Sequence, residues 1–181
     1  ARAIPIDDPI RLDALVTSPP YLNGTNYFRN TKMELWFLRE LKTKKDLTDF
    51  RYKAVVAGIN NVTNRKIGSI VPEPIKPVVR QLEKVAYDQR IPKMVVGYFQ
   101  DMERIFDNIR AVLAEDSMIA VDIGDSIYAG VHVETDKLLA QLLELLGYEL
   151  IDRVLLRRRS SRNKMEVSQV LLVFKYRGTT I

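Results

Sequence analysis

The sequence predicts a mixed α/β fold in which helices cover the faces of a sheet that closes with an antiparallel pair of strands. Three observations support this fold class. A short apolar run at residues 12–16 ends in a proline-rich turn. A long amphipathic segment at residues 93–114 precedes an apolar strand. The last third of the chain holds two strand-like segments that flank a basic stretch.

The elements follow from local patterns taken in chain order. Between Val95 and Leu113 the apolar residues recur every three or four positions, as in a helix lying on a sheet, and Glu115-Asp116 are expected to end it. Gly147 is predicted to terminate a later helix in the C′ position. The predicted elements are strand 12–16, helix 78–87, helix 93–114, strand 118–123, loop 124–130, helix 134–146, and strands 148–156 and 166–176.

Residues Thr17-Ser18-Pro19-Pro20-Tyr21 directly follow the first predicted strand. Two successive prolines cannot donate backbone hydrogen bonds and fix φ near about −65°, so the turn is stiff and its carbonyls remain available as acceptors. Ser18 and the Pro19 carbonyl could therefore hold an amino group. Tyr21 offers a ring for stacking a nucleobase, worth about 1–3 kcal/mol per base. An ordinary turn is the alternative reading of a bare Pro-Pro-Tyr.

The segment Ser18-Pro19-Pro20-Tyr21 resembles motif IV of the S-adenosylmethionine-dependent DNA methyltransferases that modify exocyclic amino groups, in which Ser, Asp or Asn precedes Pro-Pro and an aromatic residue. Residues 22–36 resemble the loop and helix that follow this motif, and residues 118–126 are similar to later family segments. The resemblance implies a partial Rossmann-like methyltransferase sheet, containing the late strands and a closing antiparallel hairpin.

The resemblance also implies a reaction. Ser18, Pro19, Pro20 and Tyr21 would hold a DNA base flipped out of the duplex, while a methyl group passes from S-adenosylmethionine to its exocyclic nitrogen. Ser at the first position slightly favours N4 of cytosine over N6 of adenine. The chain contains no cysteine, which excludes methylation of cytosine C5 through a cysteine nucleophile.

Other residues have weaker predicted roles. Tyr27 is a candidate for a further wall of the base pocket, whereas Trp36 is expected in the core. Thr17 and Asp125 are candidate cofactor contacts, because both follow strands at the edge where open α/β sheets bind ligands. A turn or helix cap is the alternative for Asp125, since Asp is common in such loops.

The sequence lacks a glycine-rich turn after a first strand, which the family uses to bind the methyl donor. We therefore expect one domain over residues 1–181 that represents the target-binding and catalytic part of a methyltransferase, with an insertion at residues 42–92. A complementary cofactor-binding segment or polypeptide is expected to supply the other half. Without it, the first strand would have an unpaired edge, which favours oligomers.

A basic stretch between the last two strands is the candidate DNA-binding surface. Arginine suits bidentate phosphate contacts, and a solvated hairpin tip is the alternative. The residues are Arg157, Arg158, Arg159, Arg162 and Lys164.

Composition sets broader limits. The 181 residues carry a formal net charge of +5 and a pI near 9.4, which suit a polyanionic partner such as double-stranded DNA. No apolar run approaches the about 20 residues of a membrane span, so a cytoplasmic protein without a membrane partner is expected. The absence of cysteine and the single histidine, His132, argue against a metal site.

Two alternative functions remain open. A pocket with a Pro-Pro-aromatic corner would also suit a methyltransferase acting on a nitrogen in RNA or protein. A non-catalytic nucleic-acid-binding module or subunit derived from such an enzyme would account for the missing glycine-rich turn.

Overall fold

The structure, a computed structural model, describes residues 11–22, 30–62, 67–160 and 164–178. Six strands lie in the described part of the chain: β1 Leu12–Thr17, β2 Leu113–Gly124, β3 Ser126–Tyr128, β4 Val131–Val133, β5 Tyr148–Ser160 and β6 Glu166–Tyr176. Its α-helices are α1 Lys32–Phe37, α2 Lys44–Lys53, α3 Lys76–Val85, α4 Arg90–Ile109 and α5 Thr135–Glu144. The mixed α/β class predicted from the sequence is confirmed.

Four strands form the main sheet in the order β1-β2-β6-β5. Strand β1 is parallel to β2, whereas β6 is antiparallel to both of its neighbours. The directions of β1, β2 and β5 are therefore the same, and their carboxyl ends meet at one edge of the sheet. The closing pair β5–β6 confirms the predicted antiparallel hairpin.

Helix α4 supplies the largest share of the core. Its buried side chains include Tyr98, Phe99, Met102 and Phe106, which belong to one apolar cluster with the inner residues of β2 and β6. Burying side chains of this size contributes about 1.5–3 kcal/mol each relative to exposure. Tyr148 at the start of β5 joins the cluster and donates a hydrogen bond from its hydroxyl to the Phe106 carbonyl at 2.7 Å.

The sheet has two edges with different neighbours. Strand β1 has β2 as its only partner strand among the described residues; the strand is partly exposed, and Val16 is 80% exposed. Strand β5 forms the opposite edge, and residues 151–160 are all exposed. In the described ranges, neither edge has a second partner strand.

Several boundaries differ from the sequence predictions. Helix α4 ends at Ile109, and Glu115 and Asp116 lie inside β2. Asp116 adopts φ +64° in the part of β2 where the pairing with β1 shifts register. Helix α3 covers Lys76–Val85 where residues 78–87 were expected. Strand β5 continues to Ser160, four residues beyond its expected end.

Two further predictions were wrong. The expected loop 124–130 is a hairpin of β3 and β4, joined by Ala129 and Gly130 with φ values of +50° and +79°. Two residues with positive φ form the turn that suits a tight hairpin. Trp36 is 54% exposed and is not part of the core, because the short helix α1 buries none of its residues.

The predicted glycine stop after α5 allows a matched stability test. Gly147 has φ +85°, and a Cβ at this position would overlap the Gly178 carbonyl oxygen, whereas Gly130 has φ +79° with open space around it. We expect Gly130→Ala to cost about 1 kcal/mol, the backbone penalty alone, and Gly147→Ala to cost clearly more. Denaturant unfolding of both variants measures the difference. Equal costs would show that the overlap is relieved without strain.

Candidate active site

The corner Ser18–Tyr21 lies at the carboxyl end of β1, beside the end of β2. Parallel pairing places Thr17 opposite Val121, so the residues after Thr17 meet those from Asp122 to Asp125. A crevice outside the carboxyl ends of parallel strands is the usual ligand position in open α/β sheets. The predicted catalytic corner therefore occupies the position where such a fold binds small groups.

Tyr21 is held at its hydroxyl by two residues from neighbouring strands. The hydroxyl donates a hydrogen bond to Asp122 Oδ1 at 2.7 Å and accepts one from Gln169 Nε2 at 2.9 Å. Gly124 allows the ring to come close, because a Cβ there would be 3.1 Å from ring atom Cδ2. The orientation of the tyrosine ring is thus set by β2 and β6.

The next residue fixes the end of the corner. Leu22 is fully buried, and its carbonyl accepts hydrogen bonds from the hydroxyls of Ser126 and Tyr128 in the β3–β4 hairpin. Burial raises the pKa of the Tyr128 phenol, so its hydroxyl remains a protonated donor. The hairpin missed by the sequence prediction therefore anchors the corner.

Ser18 is exposed, and it borders a cavity of about 410 Å³. The cavity follows β1 from Leu12 to Pro20 on the side covered by α4, and its lining is mostly apolar. It contains three of the predicted catalytic residues, Ser18, Pro19 and Pro20, and the predicted cofactor contact Thr17. Tyr21 is not part of this lining; its ring lies against Gly124.

Asp125, the other predicted cofactor contact, belongs to a largely buried polar network. Its side chain is 5% exposed, and Oδ2 accepts a hydrogen bond from the Ser168 hydroxyl at 2.8 Å and lies 3.1 Å from His132 Nε2. Asp136 lies next to it and binds Arg153 through Oδ2, at 2.6 Å from Nε and 2.5 Å from a terminal nitrogen. The Asp125 carboxyl is therefore directed into the protein.

One proton is expected to be shared within this network. Asp125 Oδ1 and Asp136 Oδ1 are buried, and no other described group donates a hydrogen bond to either oxygen, so the hydrogen bond between the two acids requires a proton carried by one of the carboxyls. Burial and the hydrogen bond with Asp136 raise the pKa of Asp125. Burial alone would raise the pKa of Asp136, but the hydrogen bond from Asp125 and the Arg153 guanidinium lower it. Asp125 thus keeps its proton longer than a free carboxyl, and Asp136 ionises first.

The basic stretch lies at the same edge of the sheet as the corner. Arg157, Arg158 and Arg159 are exposed at the carboxyl end of β5, and Arg157 pairs in register with Gln169, which pairs with Gly124. Arg158 contacts Glu166 at 3.1 Å in a fully solvated pair, a type of contact worth about 0–1 kcal/mol.

The remaining predicted site residues are placed as follows. Lys164 is exposed just before β6, with φ +58°. Tyr27 and Arg162 lie outside the described residues.

No group of three or more potential ligands that could hold a metal ion occurs in the described part of the chain. In the same residues, none of the helices combines the length and the apolar character that crossing a membrane requires.

Sequence reasoning missed one residue of the corner, Gln169. It contacts Tyr21 and Asp122 although 148 and 47 positions separate them along the chain. The only local signal is a polar amide directly before the apolar run at residues 170–174 of strand β6. Such a residue requires a hydrogen-bond partner when partly buried, but the sequence does not identify the partner.

In sequence the chain is similar to type II methyltransferases. It is 24% identical over 152 residues to M.AvaI of Nostoc sp. strain PCC 7120, covering 76% of this chain and 31% of that protein. It is 25% identical over 203 aligned positions to M.BsoBI of Geobacillus stearothermophilus, covering 99% of this chain and 40% of that protein. The chain thus spans about a third to two fifths of these curated relatives.

The comparisons with protein-family models and with solved structures are less informative about this chain. No protein-family model matches the chain. A provisionally assigned DNA modification methylase from Thermus thermophilus aligns with 45% of this chain and 38% of its own at 13% identity, with a TM-score of 0.37 that is too low to support an argument. The sequence similarities confirm the resemblance to DNA methyltransferases that motif IV indicated.

The Asp125–Asp136 pair predicts a pH-dependent stability. A carboxyl whose pKa is raised by folding stabilises the protein below its usual pKa, and this stabilisation is lost as pH rises through the raised pKa. A carboxyl whose pKa is lowered by folding stabilises the protein above its usual pKa, and this stabilisation is lost as pH falls through the lowered pKa. Wild type should therefore lose stability relative to Asp125→Asn as pH rises through the raised pKa of Asp125. Asp136→Asn, which removes the carboxylate charge that pairs with Arg153, should cost about 1–3 kcal/mol near neutral pH.

Thermal unfolding between acidic and neutral pH measures both effects. Exposed Asp49→Asn is the matched control and should follow wild type at every pH. A constant difference between wild type and Asp125→Asn across the pH range would contradict the shared proton.

Proposed function

We propose that this chain is the target-binding and catalytic part of a methyltransferase that transfers a methyl group to an exocyclic amino group of a DNA base. The observation that carries this proposal is the Ser18-Pro19-Pro20-Tyr21 corner at the carboxyl end of β1, with Ser18 exposed and the Tyr21 hydroxyl held by Asp122 and Gln169. The similarity to type II methyltransferases supports the same class of activity.

The chain's own part in the reaction is to position the amine. An exocyclic amine is a poor nucleophile because its lone pair is delocalised into the ring. In the proposal, the Ser18 hydroxyl oxygen and the Pro19 carbonyl oxygen each accept a hydrogen bond from the amino group. The nitrogen therefore becomes more tetrahedral, and its lone pair points away from the corner. Positioning and fixed dipoles of this kind are effective because they need no rearrangement during the reaction.

Tyr21 supplies the stacking surface for the flipped base. Extruding a base from the duplex costs a few kcal/mol, which stacking and edge hydrogen bonds offset. Because its hydroxyl is already bonded to Asp122 and Gln169, little side-chain entropy is lost when the base arrives. With Ser18 at the first motif position, we propose cytosine N4 ahead of adenine N6 as the target atom.

The methyl donor fits this chain only in part. S-adenosylmethionine would supply an electrophilic methyl group bound to a sulfonium. Thr17 and the corner border a mostly apolar cavity, which provides few partners for the charged and ribose groups of such a donor. We therefore propose Thr17 as a contact on the side nearest the corner, and we assign Asp125 to support of the hairpin because its carboxyl faces inward.

The rest of the donor site is proposed to come from a glycine-rich segment that adds to β1. The edge of β1 without a described partner strand borders the apolar cavity that Leu15 and Thr17 line, and the exposed Val16 lies on the opposite face of the same strand. A strand joining β1 would satisfy the unpaired backbone groups, and its flanking helix would fill the cavity. Without this segment, the same edge favours association between copies of the chain.

Methyl transfer is the decisive test. The assembled enzyme, meaning this chain together with the proposed glycine-rich segment, should methylate DNA with S-adenosylmethionine, and nucleoside analysis should identify N4-methylcytosine. Ser18→Ala should reduce the rate about 100-fold, since an acceptor aimed at the reacting group is lost. Tyr21→Ala should reduce it about 10- to 100-fold through lost stacking.

The control has an exposed serine away from the corner: Ser69→Ala should retain the wild-type rate. Transfer to RNA or protein, but not to DNA, would support the second methyltransferase hypothesis. Sequence-independent DNA binding without any transfer would favour a non-catalytic module. Unchanged rates in both Ser18→Ala and Tyr21→Ala would contradict the proposed corner.

The end of β5 is proposed to contact DNA phosphates. Replacing Arg157 and Arg158 with Ala should weaken binding to all duplexes. It should also make the slope of log affinity against log salt concentration shallower, by up to about 0.9 for each phosphate contact that is lost. Arg159 is left intact because its guanidinium contacts Gln169. Fluorescence anisotropy over a range of salt concentrations measures the slope.

The matched control removes the same net charge from another surface. Arg80 and Lys84 are exposed on α3, so their double replacement with Ala should change affinity slightly while leaving the number of phosphate contacts unchanged. If both double variants flatten the slope equally, general charge rather than the β5 arginines governs binding.

A further inference from the structure

The side chain of Gln169 lies between the catalytic corner and the basic end of β5. Its Nε2 donates hydrogen bonds to the Tyr21 hydroxyl at 2.9 Å and to Asp122 Oδ1 and Oδ2 at 2.9 and 3.0 Å. Its Oε1 accepts a hydrogen bond from a terminal nitrogen of Arg159 at 3.3 Å. One amide thus connects β1, β2 and β5.

The chemistry of the partners fixes which end of the amide faces the corner. A carboxylate can only accept, and a guanidinium can only donate. The amino group of Gln169 must therefore face Asp122 and its carbonyl oxygen must face Arg159. The reverse orientation would place an acceptor against an acceptor and a donor against a donor.

The same logic fixes the Tyr21 hydroxyl. Asp122 takes the hydroxyl proton, so the oxygen lone pairs remain to accept from Gln169. Together with the close contact between the ring and Gly124, these bonds determine where the ring lies. Without the Gln169 amide, the Tyr21 hydroxyl would be the remaining hydrogen-bond partner of Asp122 among the described residues. The Tyr21 ring would also lose the hydrogen bond from Gln169 that helps to hold it.

We propose that Gln169 is a positioning residue for methyl transfer, which acts by holding the Tyr21 ring in the orientation that stacks the flipped base. This inference rests on the proposed function and adds a residue from β6 that the motif does not contain. Because Arg157 pairs with Gln169 and Arg159 contacts it, the residue also lies where a phosphate bound to β5 and a base bound at the corner would meet.

The first test compares two variants in the assembled enzyme. Gln169→Leu keeps the approximate volume and removes all the hydrogen bonds; it should lower kcat about 10- to 100-fold, the loss expected for hydrogen bonds to a charged group, with KM for DNA nearly unchanged. Gln81→Leu on the exposed face of α3 is the control and should retain wild-type kinetics. A wild-type kcat in Gln169→Leu would overturn the proposal.

A double-mutant cycle separates positioning from a general loss of structure. Tyr21→Phe keeps the ring but lacks the hydroxyl through which Gln169 acts. If the glutamine acts through this hydroxyl, adding Gln169→Leu to Tyr21→Phe should lower kcat little further. Fully multiplicative losses would overturn the proposal.

The variant Gln169→Glu adds a pH signature. Its carboxylic acid can donate one hydrogen bond to Asp122 while protonated and none once ionised. Its kcat relative to wild type should therefore fall as pH rises, whereas the ratio for Gln169→Leu should stay flat. Melting temperatures recorded at the same pH values show whether unfolding accounts for the change. A flat ratio for Gln169→Glu would count against the donor role.

An NMR readout distinguishes failure of this inference from failure of the proposed function. In the chain labelled on its tyrosine rings, Gln169→Leu should shift or broaden the Tyr21 signals, while Gln81→Leu should leave them unchanged. This result would support the role of Gln169 in holding the Tyr21 ring, whatever the activity of the assembled enzyme. If the wild-type assembled enzyme transferred no methyl group to DNA, that separate result would refute only the proposed function. Unchanged Tyr21 signals in Gln169→Leu would refute the inference.

Discussion

The arrangement of the site depends on one constraint, the need to satisfy the carboxylate of Asp122 in β2. A partly buried carboxylate is costly unless it is hydrogen bonded. The Tyr21 hydroxyl and the Gln169 amide meet this need from the strands on either side. Because these bonds come from the corner after β1 and from β6, satisfying one side chain also fixes the position of the aromatic ring. The stability of the sheet and the geometry of the corner are therefore linked.

The two edges of the sheet serve different parts of the proposed function. Strand β1 presents an open edge and an apolar cavity, which suit packing against another protein segment. Strand β5 presents consecutive arginines, which suit a phosphate backbone. The corner lies between them at the carboxyl ends of β1 and β2. A base flipped from DNA bound along the end of β5 would thus reach the corner from one side, and a methyl donor held by the segment beside β1 would reach it from the other.

Sequence patterns predicted the parts of the fold that depend on local periodicity. The apolar spacing in α4, the glycine after α5 and the strand-like segment 166–176 each predicted the correct element within a few residues. Short elements were missed for a physical reason: β3 and β4 have three residues each, too few for a periodic signal, and the Ala129-Gly130 turn places a non-glycine residue at positive φ. The exposure of Trp36 was also missed, since an aromatic residue in an apolar helix is normally buried.

The same limit applies to the site. Motif IV identified the corner because its residues are contiguous, and the chemistry of two prolines and an aromatic residue can be read locally. Gln169 was missed because its role arises from register: β2 pairs with β6 so that Gly124 faces Gln169, and neither residue has a distinctive neighbourhood in the sequence.

Asp125 has hydrogen-bond partners that its position in the sequence does not reveal. Sequence places it after a strand at the ligand-binding edge, yet only the fold shows that Ser168, His132 and Asp136 surround its carboxyl. Asp122, three residues earlier, has its carboxylate at the corner, where it holds the tyrosine. The two acids are close in sequence, and the partners that β6 and the hairpin bring to each decide their separate roles. Contacts between strands that lie far apart along the chain therefore determine that Asp122 holds Tyr21 and that Asp125 bonds to Ser168 and His132.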